Sequence, residues 1–384
     1  LNSKNCIISV ENVKVELGGM SVLDIPSFCL HEKEFVSLIG PNGSGKSTLL
    51  LVINCLLKPV AGRIVFRGEE LATREAIFRY RRRISMVFQE PLLFDTTVYK
   101  NVASGLTIRG MKRDDIRDRV MRYLKWFNIE HLANRSARKL SGGESQRTSL
   151  ARAFAMEPEV IFLDEPFSAL DPPTRHSITD DLEKIVNQTG ITTVMVTHDQ
   201  SEALKMSDRI VVMYGGKIVQ TGTPSIVMNS PANGFVANFV GMDSILKGTV
   251  VEAGDGMVTI SIPGGGIEAV GQQQVGEKVY CCIRPENVVI ELRDPDDMTS
   301  ARNVFPAKVA DIDSLGPFLK LNLDCGFSLV SYVTREAFTK LGLDEGKEVF
   351  ASFKATAVHL IQRDGGAELV ELSRGPKHRE EPES

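Results

Sequence analysis

The chain has 384 residues, 42% hydrophobic and 24% charged, with a formal net charge of -4, an ordinary globular composition with length for two or three separate cores. The slight acidity excludes a surface that holds bare nucleic acid by charge alone. No apolar run approaches the ~18–20 residues that cross a bilayer, and residues 1–10 lack a basic region followed by a long apolar stretch, so no secretory signal is expected and membrane association would pass through a partner protein.

From about residue 5 to 240, β-rich runs alternate with helical patterns, as in an α/β domain with parallel strands. The most legible buried strands are Phe35–Ile39 and residues 160–163, 193–196 and 210–213. Six cysteines (Cys6, Cys29, Cys55, Cys281, Cys282 and Cys325) have neither C-x-x-C nor Cys/His metal spacing, so reduced thiols are expected.

The first chemistry-bearing motif is Gly40-Pro41-Asn42-Gly43-Ser44-Gly45-Lys46-Ser47-Thr48, which follows a buried strand and opens a helix. This is the P-loop pattern in its required context. Glycines let backbone N–H groups close around phosphates, and the helix start adds the positive end of its dipole. Lys46 is expected to reach the β- and γ-phosphates, and the Ser47 hydroxyl to ligate Mg²⁺.

The run Arg81-Arg82-Arg83 reads as a solvated helix end, since no aromatic residues interleave with it as stacking platforms. Residues 91–140 take on helix-like spacing, including 113–127, and read as a helical insertion between the halves of the nucleotide domain. Leu140-Ser141-Gly142-Gly143-Glu144 then forms a second glycine-rich helix start. Two anion-type helix starts in one chain suggest that two chains share each ATP.

Val160-Ile161-Phe162-Leu163-Asp164-Glu165 is an apolar strand ending in two carboxylates. Downstream of a P-loop, Asp164 is placed to hold a Mg²⁺-bound water, and Glu165 to orient or deprotonate the water that attacks the γ-phosphate.

Beyond residue 241 the texture becomes short β runs punctuated by glycine, with an internal repeat. Gly276-Glu277-Lys278-Val279-Tyr280-Cys281-Cys282-Ile283-Arg284 echoes Gly346-Lys347-Glu348-Val349-Phe350-Ala351-Ser352-Phe353-Lys354, and each copy runs on into a further apolar segment. Two related small β-barrels are the expectation, joined by a polar linker at 294–299. Residues 374–384 are charged and proline-bearing and read as a disordered tail.

These motifs together resemble an ABC transporter ATPase. Residues 40–47 match its Walker A motif, 160–164 its Walker B, and 140–144 its five-residue signature. Gln89 fits the glutamine loop, Ser168-Ala169-Leu170-Asp171 the D-loop, and His198 the switch histidine. The resemblance implies a homodimer sandwiching two ATP molecules, each between one chain's P-loop and the other's Ser141, Gly142, Gly143 and Glu144. It implies Asp171 at the D-loop, His198 on the γ-phosphate, and Mg²⁺ held by Ser47, Gln89 and Asp164. Catalytic roles fall to Glu165, His198 and Gln89. The aromatic residue that usually stacks on adenine is replaced here by Leu17, whose aliphatic contact forfeits roughly 0.5–1.5 kcal/mol.

The region 241–373 resembles the paired barrels, of the molybdate-binding Mop or TOBE type, on some importer ATPases. In oxyanion-binding members, residues matching Ser300, Arg302 and Lys354 hold molybdate or tungstate, and such residues supply the charge-assisted hydrogen bonds a dianion needs. In the first repeat Arg284 stands at the place of Lys354, but Pro285-Glu286 follows, removing an N–H and adding a repelling charge.

The expected fold is therefore an α/β P-loop domain over 1–240, with a helical subdomain at about 91–140, followed by tandem OB-like TOBE barrels. The expected function is an importer ATPase, with ATP and Mg²⁺ as cofactors, on the cytoplasmic face of the membrane. Its partners would be membrane permease subunits and, indirectly, an external substrate-binding protein. Molybdate or tungstate is the expected cargo, with oxyanion feedback through the barrels; sulfate, iron, polyamine and sugar importers carry such barrels too. The rival of another class is a soluble ABC ATPase not coupled to transport.

Overall fold

The computed structural model describes residues 6–293 and 300–363 and divides into two compact units, Leu1–Pro224 and Ser225–Ser384. The division falls before residue 240 because the helices Pro224–Asn229 and Gly234–Phe239 are fastened to the C-terminal strands. Arg284 donates to the carbonyls of Met228 and, at 3.2 Å, of Val240. His359 Nε2 lies 3.2 Å from the Pro231 carbonyl. The linker at 294–299 and the tail at 374–384 lie outside the described residues.

In the first unit the buried apolar runs form a six-stranded sheet. Its order is Lys217–Gly222, Arg209–Tyr214, Phe35–Ile39, Thr192–Val196, Val160–Asp164, Ile84–Val87. All neighbours are parallel except the first pair, a hairpin. Successive side chains of a strand face opposite ways, so Val160 and Phe162 enter one core while Ile161 and Leu163 enter another. That double burial is why these strands read as unbroken hydrophobic runs.

The core around Val160 is closed by the helix Lys46–Ile53 and a four-stranded antiparallel sheet, Met20–His31, Cys6–Leu17, Ala61–Phe66 and Glu69–Glu70. This second sheet is a separate antiparallel layer beside the parallel one. Gly18 and Gly19, both at positive φ, turn the chain directly back, and a hairpin pairs antiparallel. The core around Ile161 is closed by the helices Val98–Ile108, Arg113–Trp126, Gly142–Phe154 and Pro172–Thr189.

The expectation of six reduced cysteines is also corrected. Cys6 and Cys29, on neighbouring strands with Cα atoms 5.9 Å apart, form a disulfide; strand pairing makes that proximity, which their spacing in sequence does not reveal. Burial pushes the Cys281, Cys282 and Cys325 thiols up to about 12, so they act as small apolar fillers.

The second unit holds two five-stranded antiparallel sheets. The first orders Gly265–Val270, Met257–Ile262, Ser244–Gly254, Lys278–Ile283, Val358–Gln362; the second orders Val289–Glu291, Glu348–Phe353, Asn303–Leu315, Phe318–Asp324, Ser328–Thr334. The two expected barrels are thus not independent, because each sheet ends on the last strand of the other repeat. Val358–Gln362 pairs with Lys278–Ile283, and Val289–Glu291 pairs with Glu348–Phe353. One shared core, including Val279, Ile290, Leu321, Phe353 and Val358, fills the unit.

Candidate active site

The strand Phe35–Ile39 delivers the chain into the P-loop, and the loop's shape requires its glycines. Gly40 has φ 149°, and a Cβ there would sit 2.2 Å from the Met213 carbonyl oxygen. Gly45, at φ 97°, caps the helix Lys46–Ile53 in a left-handed conformation. Asn42, Gly43 and Ser44 form the turn between them, fastened by the Ser44 amide to the Pro41 carbonyl at 3.2 Å. Thr48 lies in the first helical turn.

Lys46 folds back over this loop. Its ammonium donates to the carbonyls of Gly40 at 2.8 Å and Pro41 at 2.9 Å. Burial draws its proton affinity down, opposed by the charges of Glu165 and Asp164. A buried cation held by neutral groups alone, these carbonyls and the Ser44 hydroxyl at 3.4 Å, is ready to exchange them for phosphate oxygens. The Ser47 hydroxyl donates to Asp164 at 2.9 Å. Burial raises the Asp164 carboxyl despite that hydrogen bond. The two oxygens form an adjacent pair of hard donors that fits Mg²⁺.

Glu165 follows at φ 45°, held by its amide to the Val196 carbonyl at 2.9 Å. This strained backbone sits where function would keep it. Its carboxylate lies 3.3 Å from His198 Nδ1, so the structure joins two residues 33 positions apart. Gln89 instead donates to Ser168 Oγ at 3.2 Å, and Ser168 in turn donates to the Glu165 carbonyl at 3.1 Å. No hydrogen bond joins Gln89 to Ser47 or Asp164 among the described residues.

The helix Gly142–Phe154 begins on a capping box. Ser141 accepts from the Glu144 amide at 3.3 Å, and Glu144 accepts from the Ser141 amide at 2.7 Å. That internal bond, more than Arg135 at 3.3 Å, holds the Glu144 carboxyl below its usual range. The cap leaves the amides of Gly142 and Gly143 for an outside acceptor. Gly143 borders a cavity of about 390 Å³ lined also by Ser141, Glu144, His131, Arg147 and Thr174. Asp171 caps the helix Pro172–Thr189 by accepting from the Thr174 amide at 3.1 Å. Leu17 and Met20 are exposed at the hairpin tip.

Sequence reasoning missed the supports. Buried Glu202 accepts from Thr197 Oγ1 at 2.6 Å, and Thr197 receives the Asp199 amide at 3.0 Å, fixing the turn that carries His198. Gly216 accepts from the Asp24 amide at 2.9 Å and donates to the Ser44 carbonyl at 3.1 Å, bracing the P-loop from outside. A polar pair bracketing a histidine at a strand end was the available signal for the first. Nothing local signals the second.

In the second unit, Asn303 pairs with Phe353 in strand register, so Arg302 and Lys354 leave the same end of that pair. Arg302 is not free: it bonds Glu268 Oε2 at 3.1 Å. Buried Asn303 holds the Glu268 backbone through two bonds, at 2.8 and 2.9 Å. Ser300 is exposed, and no hydrogen bond joins Ser300, Arg302 and Lys354. Arg284, their counterpart in the first repeat, is occupied by the helix-end carbonyls of Met228 and Val240.

The ABC transporter family profile matches residues 23–168, and the TOBE domain profile residues 299–360. The molybdate/tungstate import ATP-binding protein WtpC of Pyrococcus horikoshii is 36% identical over 92% of this chain and all of its own length. The chain belongs to the ABC transporter ATP-binding family. This ABC ATPase is also 36% identical to the sulfate/thiosulfate import protein CysA of Thermosynechococcus vestitus, over 89% of the chain and 95% of that protein. It is 39% identical to the spermidine/putrescine import protein PotA of Clostridium novyi, over 75% of the chain and 82% of that protein. Among solved structures, cbiO1 of Clostridium perfringens, part of the transporter complex cbiONQ, aligns with TM-score 0.56 at 33% identity, covering 62% of this chain and 96% of its own. A dimeric ATP-binding cassette bound to ADP and Pi aligns with TM-score 0.52 at 33% identity, covering 56% and 98%. The protein is an ATP-hydrolysing subunit of ABC importer type.

Proposed function

We propose that this ATPase energises uptake of molybdate or tungstate through a membrane permease, from the cytoplasmic face, as a homodimer that closes on two ATP molecules. The observation that carries the cargo is the similarity to WtpC along the whole length of that protein, joined to the cationic Arg302 and Lys354 beside one strand end.

In the proposed reaction, the backbone N–H groups of the loop residues other than Pro41 and the Lys46 ammonium hold the β- and γ-phosphates, exchanging the Gly40 and Pro41 carbonyls for phosphate oxygens. Ser47, Asp164 and Gln89 would hold Mg²⁺, which when bound supplies neutralising charge at the phosphates. Ser141, Gly142 and Gly143 of the second copy close on the same γ-phosphate, while Glu144 keeps that helix start folded. Asp171 sets the turn before Pro172–Thr189. Glu165 takes the proton of the attacking water as oxygen bonds to the γ-phosphorus and the β–γ bridging P–O bond breaks. His198, beside Glu165, orients that water or the γ-phosphate. Oxyanion at Ser300, Arg302 and Lys354 would oppose closure, a coupling between two sites that is reciprocal.

Uptake by cells lacking the chain tests the cargo, with molybdate, tungstate, sulfate and spermidine compared. The expected outcome is loss of the first two alone. Loss of sulfate or spermidine uptake instead transfers the cargo to that class.

A further inference from the structure

A ring of contacts closes around Glu165. On one side Ser168 donates to the Glu165 carbonyl at 3.1 Å and receives Gln89 at 3.2 Å. On the other, His198 Nδ1 stands 3.3 Å from the Glu165 carboxylate. Arg175 joins the two sides. Its Nη2 donates to the Leu170 carbonyl at 3.0 Å, two residues on from Ser168, and its Nη1 lies 3.5 Å from Asp199 Oδ2. Asp199 is the residue directly after His198.

This arginine is a poor choice for stability alone. A cation in the first turn of the helix Pro172–Thr189 opposes the helix dipole, even with Asp171 at the cap. Its Nε hydrogen is buried without an acceptor among the described residues. The pair with Asp199 is long and partly exposed, and such pairs contribute little to folding. Local costs accepted for one weak pair point to placement. The turn being placed is itself stiff. Asp199 Oδ1 accepts from the amides of Ser201 at 2.8 Å and Glu202 at 3.3 Å, while the Asp199 amide donates to Thr197 Oγ1 at 3.0 Å. Arg175 therefore sets where a rigid turn stands relative to the segment 168–171.

We propose that Arg175 is a positioning residue for hydrolysis: by tying Asp199 to the Leu170 carbonyl, it keeps the His198 imidazole against the Glu165 carboxylate. This rests on the roles given above to Glu165 and His198 and adds what holds them in register. Guanidinium suits the task because its planar fork reaches two acceptors at once. A misplacement of about 1 Å in a reacting group costs up to about a hundredfold in rate. ATP affinity, set by Lys46 and the loop amides, is untouched.

The test is single-turnover hydrolysis by the full chain, with ATP affinity and thermal unfolding measured beside it. Arg175→Gln is expected to slow hydrolysis about tenfold or more at unchanged ATP affinity. Asp199→Ser keeps a good helix cap but is too short to reach the guanidinium. It is expected to show the same loss, and it decides the matter if the Arg175→Gln chain unfolds. In a His198→Ala background, itself slower than wild type, the Arg175→Gln loss should shrink below about twofold, since the group it places is gone. A merely structural arginine would cost the same factor in both backgrounds, and that result overturns the proposal. So does a wild-type rate for Asp199→Ser, or a loss of ATP affinity that accounts for the slower turnover. Each of these leaves the roles of Glu165 and His198 intact. Hydrolysis by His198→Ala at the wild-type rate overturns the histidine's role and the proposal together.

Discussion

The two units each carry cations at a strand end, and they treat them differently. Lys46 is satisfied by two neutral carbonyls, while Arg302 is satisfied by the carboxylate of Glu268. Phosphate can displace carbonyl oxygens from an ammonium at little electrostatic cost, since charge replaces dipole. An oxyanion approaching Arg302 must displace or tolerate a like charge. The nucleotide unit is therefore preorganised for its anion. In the C-terminal unit the Glu268 carboxylate already stands against Arg302.

The most severe way to probe this contrast is at the preorganised end. Glu165→Gln keeps shape and removes the basic carboxylate, so steady-state hydrolysis should fall by at least ~100-fold. ATP binding, followed with a fluorescent analogue, should persist because Lys46 and the loop amides are untouched. Hydrolysis near the wild-type rate would remove Glu165 from the chemistry.

Next in size is the Glu268 carboxylate. Glu268→Gln should tighten tungstate binding to the full chain by about tenfold in titration calorimetry, and Arg302→Ala should abolish it. The amide can still hold its place, since Asn303 grips the backbone of residue 268 and not its side chain. Tungstate binding that ignores both substitutions would leave the Arg302 end of the unit structural only.

The smallest effect separates the units by acid. His359 is held below its ordinary 6.5 by burial, which outweighs its bond to the Pro231 carbonyl. A depressed imidazole means the unfolded chain binds the proton more readily, so this contribution is full above about 6.5 and is lost as pH falls through the folded value. Glu34 is penalised by burial but held below 4.5 overall by Arg209 and His31; its contribution is lost only as pH falls below that range. Monitored separately, the C-terminal unit should begin to loosen at higher pH than the nucleotide unit. His359→Gln should flatten that first loss, and an unaltered profile would discount the histidine.

The nucleotide site was legible in sequence because phosphate binding by backbone is local. Residues 40–48 need their glycines in order, and the strand before them is buried on both faces. The carboxylates at 164 and 165 were legible for the same reason, lying at the end of an apolar run. Cooperation across distance was not legible. Nothing near Glu165 names His198 as its neighbour except family resemblance. Nothing near Arg302 announces Glu268, which arrives through strand geometry set by Asn303. Arg284, which Pro285-Glu286 already marked as poorly placed for an anion, is a clamp on two helix ends, a role visible only once residues 225–240 are seen to fold with the C-terminal strands. The repeat itself was plain, but strand exchange was hidden because sequence similarity records which strands exist and not which neighbours they choose.

That exchange governs how the second unit comes into being. Lys278–Ile283 pairs on one side with Ser244–Gly254 and on the other with Val358–Gln362. As the chain leaves the ribosome, the first repeat emerges with an open hydrogen-bonding edge that only the final described strand can close. Non-local pairing of this kind slows folding and leaves a template for wrong partners meanwhile. A truncation just short of residue 358 would therefore not shorten the unit by one strand. It would leave an earlier sheet unfinished, with an exposed edge ready to recruit another nascent chain.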